Sequence, residues 1–70
     1  MMTYAEALDQ GYRLRDTTLQ RGYTSRRVDP MSQPVLVAGG NRKGHPYVEL
    51  PNYRSTTYGT IRQYLAPPTA

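Results

Sequence analysis

The sequence predicts an α+β domain, and three observations carry that expectation. Thr3-Tyr4-Ala5-Glu6 is a capping box, in which the threonine hydroxyl accepts from the third helical amide and the glutamate reaches back to the threonine amide. Residues 34–50 place a short apolar run, a glycine-rich turn and an alternating segment one after another, the pattern of a β-hairpin. Residues 53–58 are rich in tyrosine, serine and threonine, which suits a third strand. The consistent assembly is one N-terminal amphipathic helix packed on a small antiparallel sheet of about three strands.

The helix is expected over residues 3–21, with Gly22 closing it. At 100° per residue, Tyr4, Ala5, Ala7, Leu8, Gly11, Tyr12, Leu14, Thr18 and Leu19 share one half of the wheel, and most polar residues share the other. Gly11 on that half allows a close approach of helix and sheet. Arg15 lies in the middle of the apolar half, where it either snorkels to water, pairs with a buried carboxylate such as Glu49 or stacks on a tyrosine.

Residues 23–28 read as an edge strand or connector, ended by Asp29-Pro30. Pro34-Val35-Leu36-Val37-Ala38 is the first hairpin strand, residues 39–44 the turn, and His45 to Leu50 the second strand, with Pro46 at an unpaired start. After Gly59 two readings stay open. One is a continuing strand. The other is a short C-terminal helix capped by Thr60-Ile61-Arg62-Gln63 and stopped by Pro67-Pro68. Residues 1–66 are expected to form a single small domain and residues 67–70 a flexible tail. The apolar side of the helix is expected against Val35, Val37, Val48, Leu50 and Ile61, leaving the other sheet face open to carry Arg and Tyr.

Composition narrows the function classes. A chain of 70 residues buries only about 60% of the surface its unfolded form exposes, which leaves little room for a dry catalytic pocket. With no cysteine and one histidine, neither a disulfide nor a zinc site is expected. His45 reads as a turn-edge residue, since no Ser or Cys nucleophile stands in a recognisable arrangement with it. The glycine-rich turn is no nucleotide loop, because Lys43 is followed by Gly44-His45-Pro46 and not by Ser or Thr and a helix. The chain is therefore read as a non-enzyme without metal or cofactor. The N-terminus lacks the pattern of a signal peptide and no apolar run is long enough to span a bilayer, so a cytoplasmic protein without a membrane partner is expected.

The net charge of +4 is unevenly spread: residues 1–20 hold two arginines against three carboxylates, and residues 21–70 hold seven basic groups against two. Eight of the nine basic residues are arginine and all seven aromatics are tyrosine, the residue types that binding surfaces favour. Because the chain has no Phe or Trp, three or four of the tyrosines are expected in the core. The candidate binding residues are Arg26, Arg27, Arg42, Lys43, Arg54, Tyr58 and Arg62. On them rests the expectation of a small basic module contacting DNA or RNA through the open sheet face and the hairpin tip. That reading requires the basic residues to share one surface. The alternative is an inhibitor or adaptor of the kind phages and other mobile elements encode, docking on a host protein through a Tyr/Arg hot spot. A homodimer through a strand edge is compatible with both. The order of elements is loosely similar to that of double-stranded-RNA-binding domains. The lysine-rich second helix start that such domains use is missing from residues 60–66, so no residue roles are carried over.

Overall fold

A computed structural model describes residues 1–69. The expected capping box forms: the Thr3 amide donates to Glu6 Oε1 at 3.0 Å, and the Glu6 amide donates to Thr3 Oγ1 at 3.3 Å. The helix it starts, α1 (Tyr4–Asp9), is only six residues long. Its stop is Gly11 and not Gly22. Gly11 takes φ +95°, its amide donates to the Leu8 carbonyl, and the Tyr12 amide donates to the Ala7 carbonyl, which together close the helix with a left-handed residue. The expected long one-sided helix is thus replaced by a short helix, which is not clearly amphipathic, and a strand.

That strand, β1 (Arg13–Gln20), leads into β2 (Gly22–Tyr23), β3 (Leu36–Val37), β4 (Pro46–Pro51) and β5 (Tyr58–Ala66). The sheet has five strands, more than the three expected, in the order β1-β5-β4-β3 with antiparallel pairing. Only the two-residue β2 pairs parallel, continuing beside the start of β5 where β1 ends. The segment after Gly59 is strand throughout, and the C-terminal helix does not form. Flanked by β1 and β4, this segment satisfies its backbone in two ladders, which outweighs the local capping-box pattern of Thr60 to Gln63. The hairpin is present, with a 3-10 turn at Gly40–Arg42 in its loop.

Residues opposite one another in the ladders point to the same face. On the helix side lie Val48, Leu50, Gln63 and Leu65. Ala7, Val48 and Leu65 are buried together there, with Met2, Tyr4, Tyr12, Val35 and Leu50 packed around them. The Tyr4 hydroxyl donates to Gln63 Oε1 at 3.0 Å. Val35, Val48 and Leu50 join the core as expected, whereas Val37 is 70% exposed on the short outermost strand. The other face carries Asp16, Thr18 and Gln20 of β1, Thr60, Arg62 and Tyr64 of β5, and Tyr47 and Glu49 of β4. Arg15 is the extra residue of a β-bulge between Leu14 and Asp16 and reaches His45, with Nη1 3.5 Å from Nε2. Beyond β5 the chain passes Gly11, where Pro68 comes close; Ala70, the end of the expected flexible tail, lies outside the described residues.

Candidate nucleic-acid interface

The arginines and tyrosines fall into two groups. The first occupies the helix-free sheet face. Register brings Tyr47 opposite Tyr64 and Glu49 opposite Arg62, so the two rings lie 5.6 Å apart and tilted by 47°. The Arg62 guanidinium sits 4.4 Å from the centre of the Tyr47 ring and 3.7 Å from Glu49 Oε2. The glycine-rich loop folds back over this face. Ala38 and His45 pair across its base, and Gly44, at φ +87°, donates to the Ala38 carbonyl. Arg42 is thereby laid 4.3 Å above the Tyr64 ring, with Nη1 donating to both carboxylate oxygens of Asp16, at 2.7 Å to Oδ1. These hydrogen bonds hold the Arg42 guanidinium pKa above its ordinary value. Both arginines of this group therefore have a carboxylate and a ring already in place. Tyr64 is buried and Tyr47 half-buried, which with the half-buried Tyr4 and Tyr12 makes four tyrosines built into the domain.

The second group lies at the other end of β5, about 20 Å away at ~3.3 Å per strand residue between Tyr58 and Tyr64. Three chain segments converge there. β2 pairs with Tyr58 and Gly59, and the Thr24 and Thr60 hydroxyls meet at 2.7 Å, bringing residues 21–27 against the start of β5. The turn between β4 and β5 is organised by Asn52, which is buried. Its amide donates to the Gly59 carbonyl at 2.9 Å, its Nδ2 to the Tyr58 carbonyl at 2.7 Å, and its Oδ1 accepts from the Arg54 amide at 3.0 Å. The Tyr53 hydroxyl then closes across to the Arg26 carbonyl at 2.8 Å. The Arg21 guanidinium lies 5.4 Å from the Tyr58 ring centre, and that of Arg26 lies 5.6 Å from the Tyr53 ring centre.

Two features separate this end from the sheet face. Tyr23 is 79% and Tyr53 59% exposed, so ring surface is open to water. No carboxylate answers the arginines: among the described residues the ion pairs are Arg42–Asp16 and Arg62–Glu49. The nearest acidic residue in sequence, Asp29, spends both oxygens on a local cap, accepting from the Met31 amide at 3.1 Å and the Ser32 hydroxyl at 3.0 Å.

Of the candidate residues, Arg26, Arg27, Arg54 and Tyr58 belong to this end, and Arg42 and Arg62 to the sheet face; Lys43 is exposed on the loop beside Arg42. The single surface that would join Arg26, Arg42, Lys43, Arg54 and Arg62 is not formed. Arg42 is no free hairpin-tip residue either, being bound down onto Asp16. Arg21, Tyr23 and Tyr53, which lie outside the candidate residues, complete the basic end. The helix expected over residues 3–21 hides Arg21 at its end, and the two tyrosines carry no signal beyond the general enrichment in Arg and Tyr. Among the described residues no three His, Cys, Asp or Glu gather to hold a metal ion, and no helix is long and apolar enough to cross a membrane. Comparison with protein-family models, curated proteins and solved structures finds no match.

Proposed function

We propose that the protein is a non-enzymatic nucleic-acid-binding module, and that its contact surface is the Arg21, Tyr23, Arg26, Arg27, Tyr53, Arg54 and Tyr58 end rather than the sheet face and hairpin tip. The observation that supports this reading is a set of four arginines without carboxylate partners among the described residues, interleaved with exposed tyrosine rings on segments that the fold brings together. Guanidinium groups neutralise backbone phosphates and release counterions. Tyr23 and Tyr53 offer faces on which unpaired bases stack, at ~1–3 kcal/mol per base. Stacking of this kind requires splayed bases, so the preferred ligand is single-stranded DNA or RNA.

The test is an anisotropy titration of labelled single- and double-stranded DNA and RNA at two salt concentrations. Micromolar or tighter binding is expected, stronger for single strands and falling steeply with salt. Tyr23→Ala is expected to weaken it about tenfold, the equivalent of ~1.4 kcal/mol of lost stacking. Absence of binding at low salt overturns the reading and leaves this end as a protein-docking surface.

A further inference from the structure

The outer edge of β1 is eight residues long and has no backbone partner among the described residues, since β1 ends the sheet order. Its helix-side face is open at two leucines: Leu14 and Leu19 are each 55% exposed, while Ala7 of α1 packs on Val48 of β4 and Leu65 of β5. Edges are ordinarily blunted by charges or bulges. Here two of the three charges on β1 are drawn inward, and the third, Arg13, is exposed at the start of the strand. Asp16 is bound by Arg42, and Arg15 reaches back across the sheet toward His45.

The bulge also has a consequence for register. With Arg15 taken out of the ladder, the paired positions run Arg13, Leu14, Asp16, Thr17, Thr18, Leu19, Gln20. On the helix-side face this reads Leu14-Thr17-Leu19, the same in both directions about Thr17.

We infer that β1 pairs antiparallel with β1 of a second copy, about a two-fold axis at Thr17. In that register Leu14 faces the partner's Leu19, Leu19 faces the partner's Leu14, and the two Thr17 residues meet at the axis. Asp16 falls opposite the partner's Thr18, and Arg13 opposite the partner's Gln20, so no like charges stand face to face. An isologous contact of this kind closes on itself and leaves no further edge of β1 to recruit more copies. Antiparallel pairing also points the two Arg/Tyr ends away from each other. The dimer therefore stands or falls independently of the nucleic-acid reading.

Sedimentation equilibrium of the full chain at micromolar concentrations is expected to move from 8.0 kDa toward twice that mass as concentration rises. A Leu14→Lys, Leu19→Lys double variant is expected to weaken association at least tenfold with an unchanged circular dichroism spectrum. The chain has no cysteine, so a single Thr17→Cys reports the axis directly: directly opposed residues have Cα atoms about 4.5–5.5 Å apart, within disulfide reach. Mild oxidation is expected to give a covalent dimer of Thr17→Cys and none of Thr57→Cys, on the distant β4–β5 turn. A chain that stays monomeric overturns the inference, as does a dimer that survives both lysines or that Thr17→Cys fails to lock. Should the lysine variant unfold, the cysteine pair decides alone.

Discussion

The two Arg/Tyr groups are made of the same residue types and differ in what stands beside them. On the sheet face, Arg42 and Arg62 have Asp16 and Glu49 within ion-pair distance and rest on Tyr64 and Tyr47, rings that are themselves largely covered. At the far end, Arg21 and Arg26 also lie over tyrosine rings, but no carboxylate among the described residues joins them and the rings stay wet. An arginine whose charge is met inside the fold contributes to cohesion; one whose charge is left open is available to an external anion. Enrichment in Arg and Tyr does not by itself mark an interface. The placement of a few carboxylates separates the two roles.

Four substitutions probe this division, in descending order of effect. Tyr64→Ala removes the buried ring under Arg42 and is expected to cost about 4 kcal/mol of stability in chemical denaturation. Whatever folded protein remains should bind nucleic acid as the parent does. Gly59→Ala is expected to cost about 3 kcal/mol, because a methyl group there stands 2.5 Å from the Gly22 carbonyl oxygen, where backbone faces backbone. It should also loosen β2 from β5 and so weaken binding, which Tyr64→Ala should not. Asn52→Ala leaves the Tyr58 carbonyl and the Arg54 amide without their side-chain partner and is expected to cost about 2 kcal/mol, again with weaker binding. Glu6→Gln should have the smallest effect and touch neither group. The Thr3 amide and hydroxyl hold the Glu6 carboxyl below its ordinary value of 4.5. Its contribution is therefore full above that value and lost as the pH falls through the lower folded-state value. The glutamine variant should show a flatter acid limb in stability measured against pH, with no change in binding.

Legibility in the sequence followed the range of the interactions concerned. The Thr3/Glu6 box and the hairpin over residues 34–50 depend on neighbours a few residues apart, and both were readable. The length of α1 was not. On a helical wheel Gly11 looks like a packing glycine, and Leu14 and Leu19 complete the wheel by coincidence. In the fold both leucines lie on one face of a strand, since the bulge at Arg15 shifts the alternation between them. β1 exposes its two leucines and half-buries its polar face, so its sequence shows no apolar alternation, and the ladder to β5, some 45 residues away, decides its conformation where local pattern does not. The same holds for the site. The residue types were evident, but the pairing of Glu49 with Arg62 and of Asp16 with Arg42 follows from register and from the fold-back of the loop, neither of which a linear reading shows.

The most direct test compares two double variants, Arg26→Ala, Arg54→Ala and Arg42→Ala, Arg62→Ala, for both single-strand affinity against salt and resistance to denaturant. The first pair should lower affinity at least tenfold and reduce the salt slope by about 1.4, with stability unchanged. The second should leave affinity and slope as they are and lower the denaturation midpoint. Equal losses of slope in the two variants, or a loss confined to the second, would contradict the division of the arginines into an open, ligand-facing set and a closed, structural one.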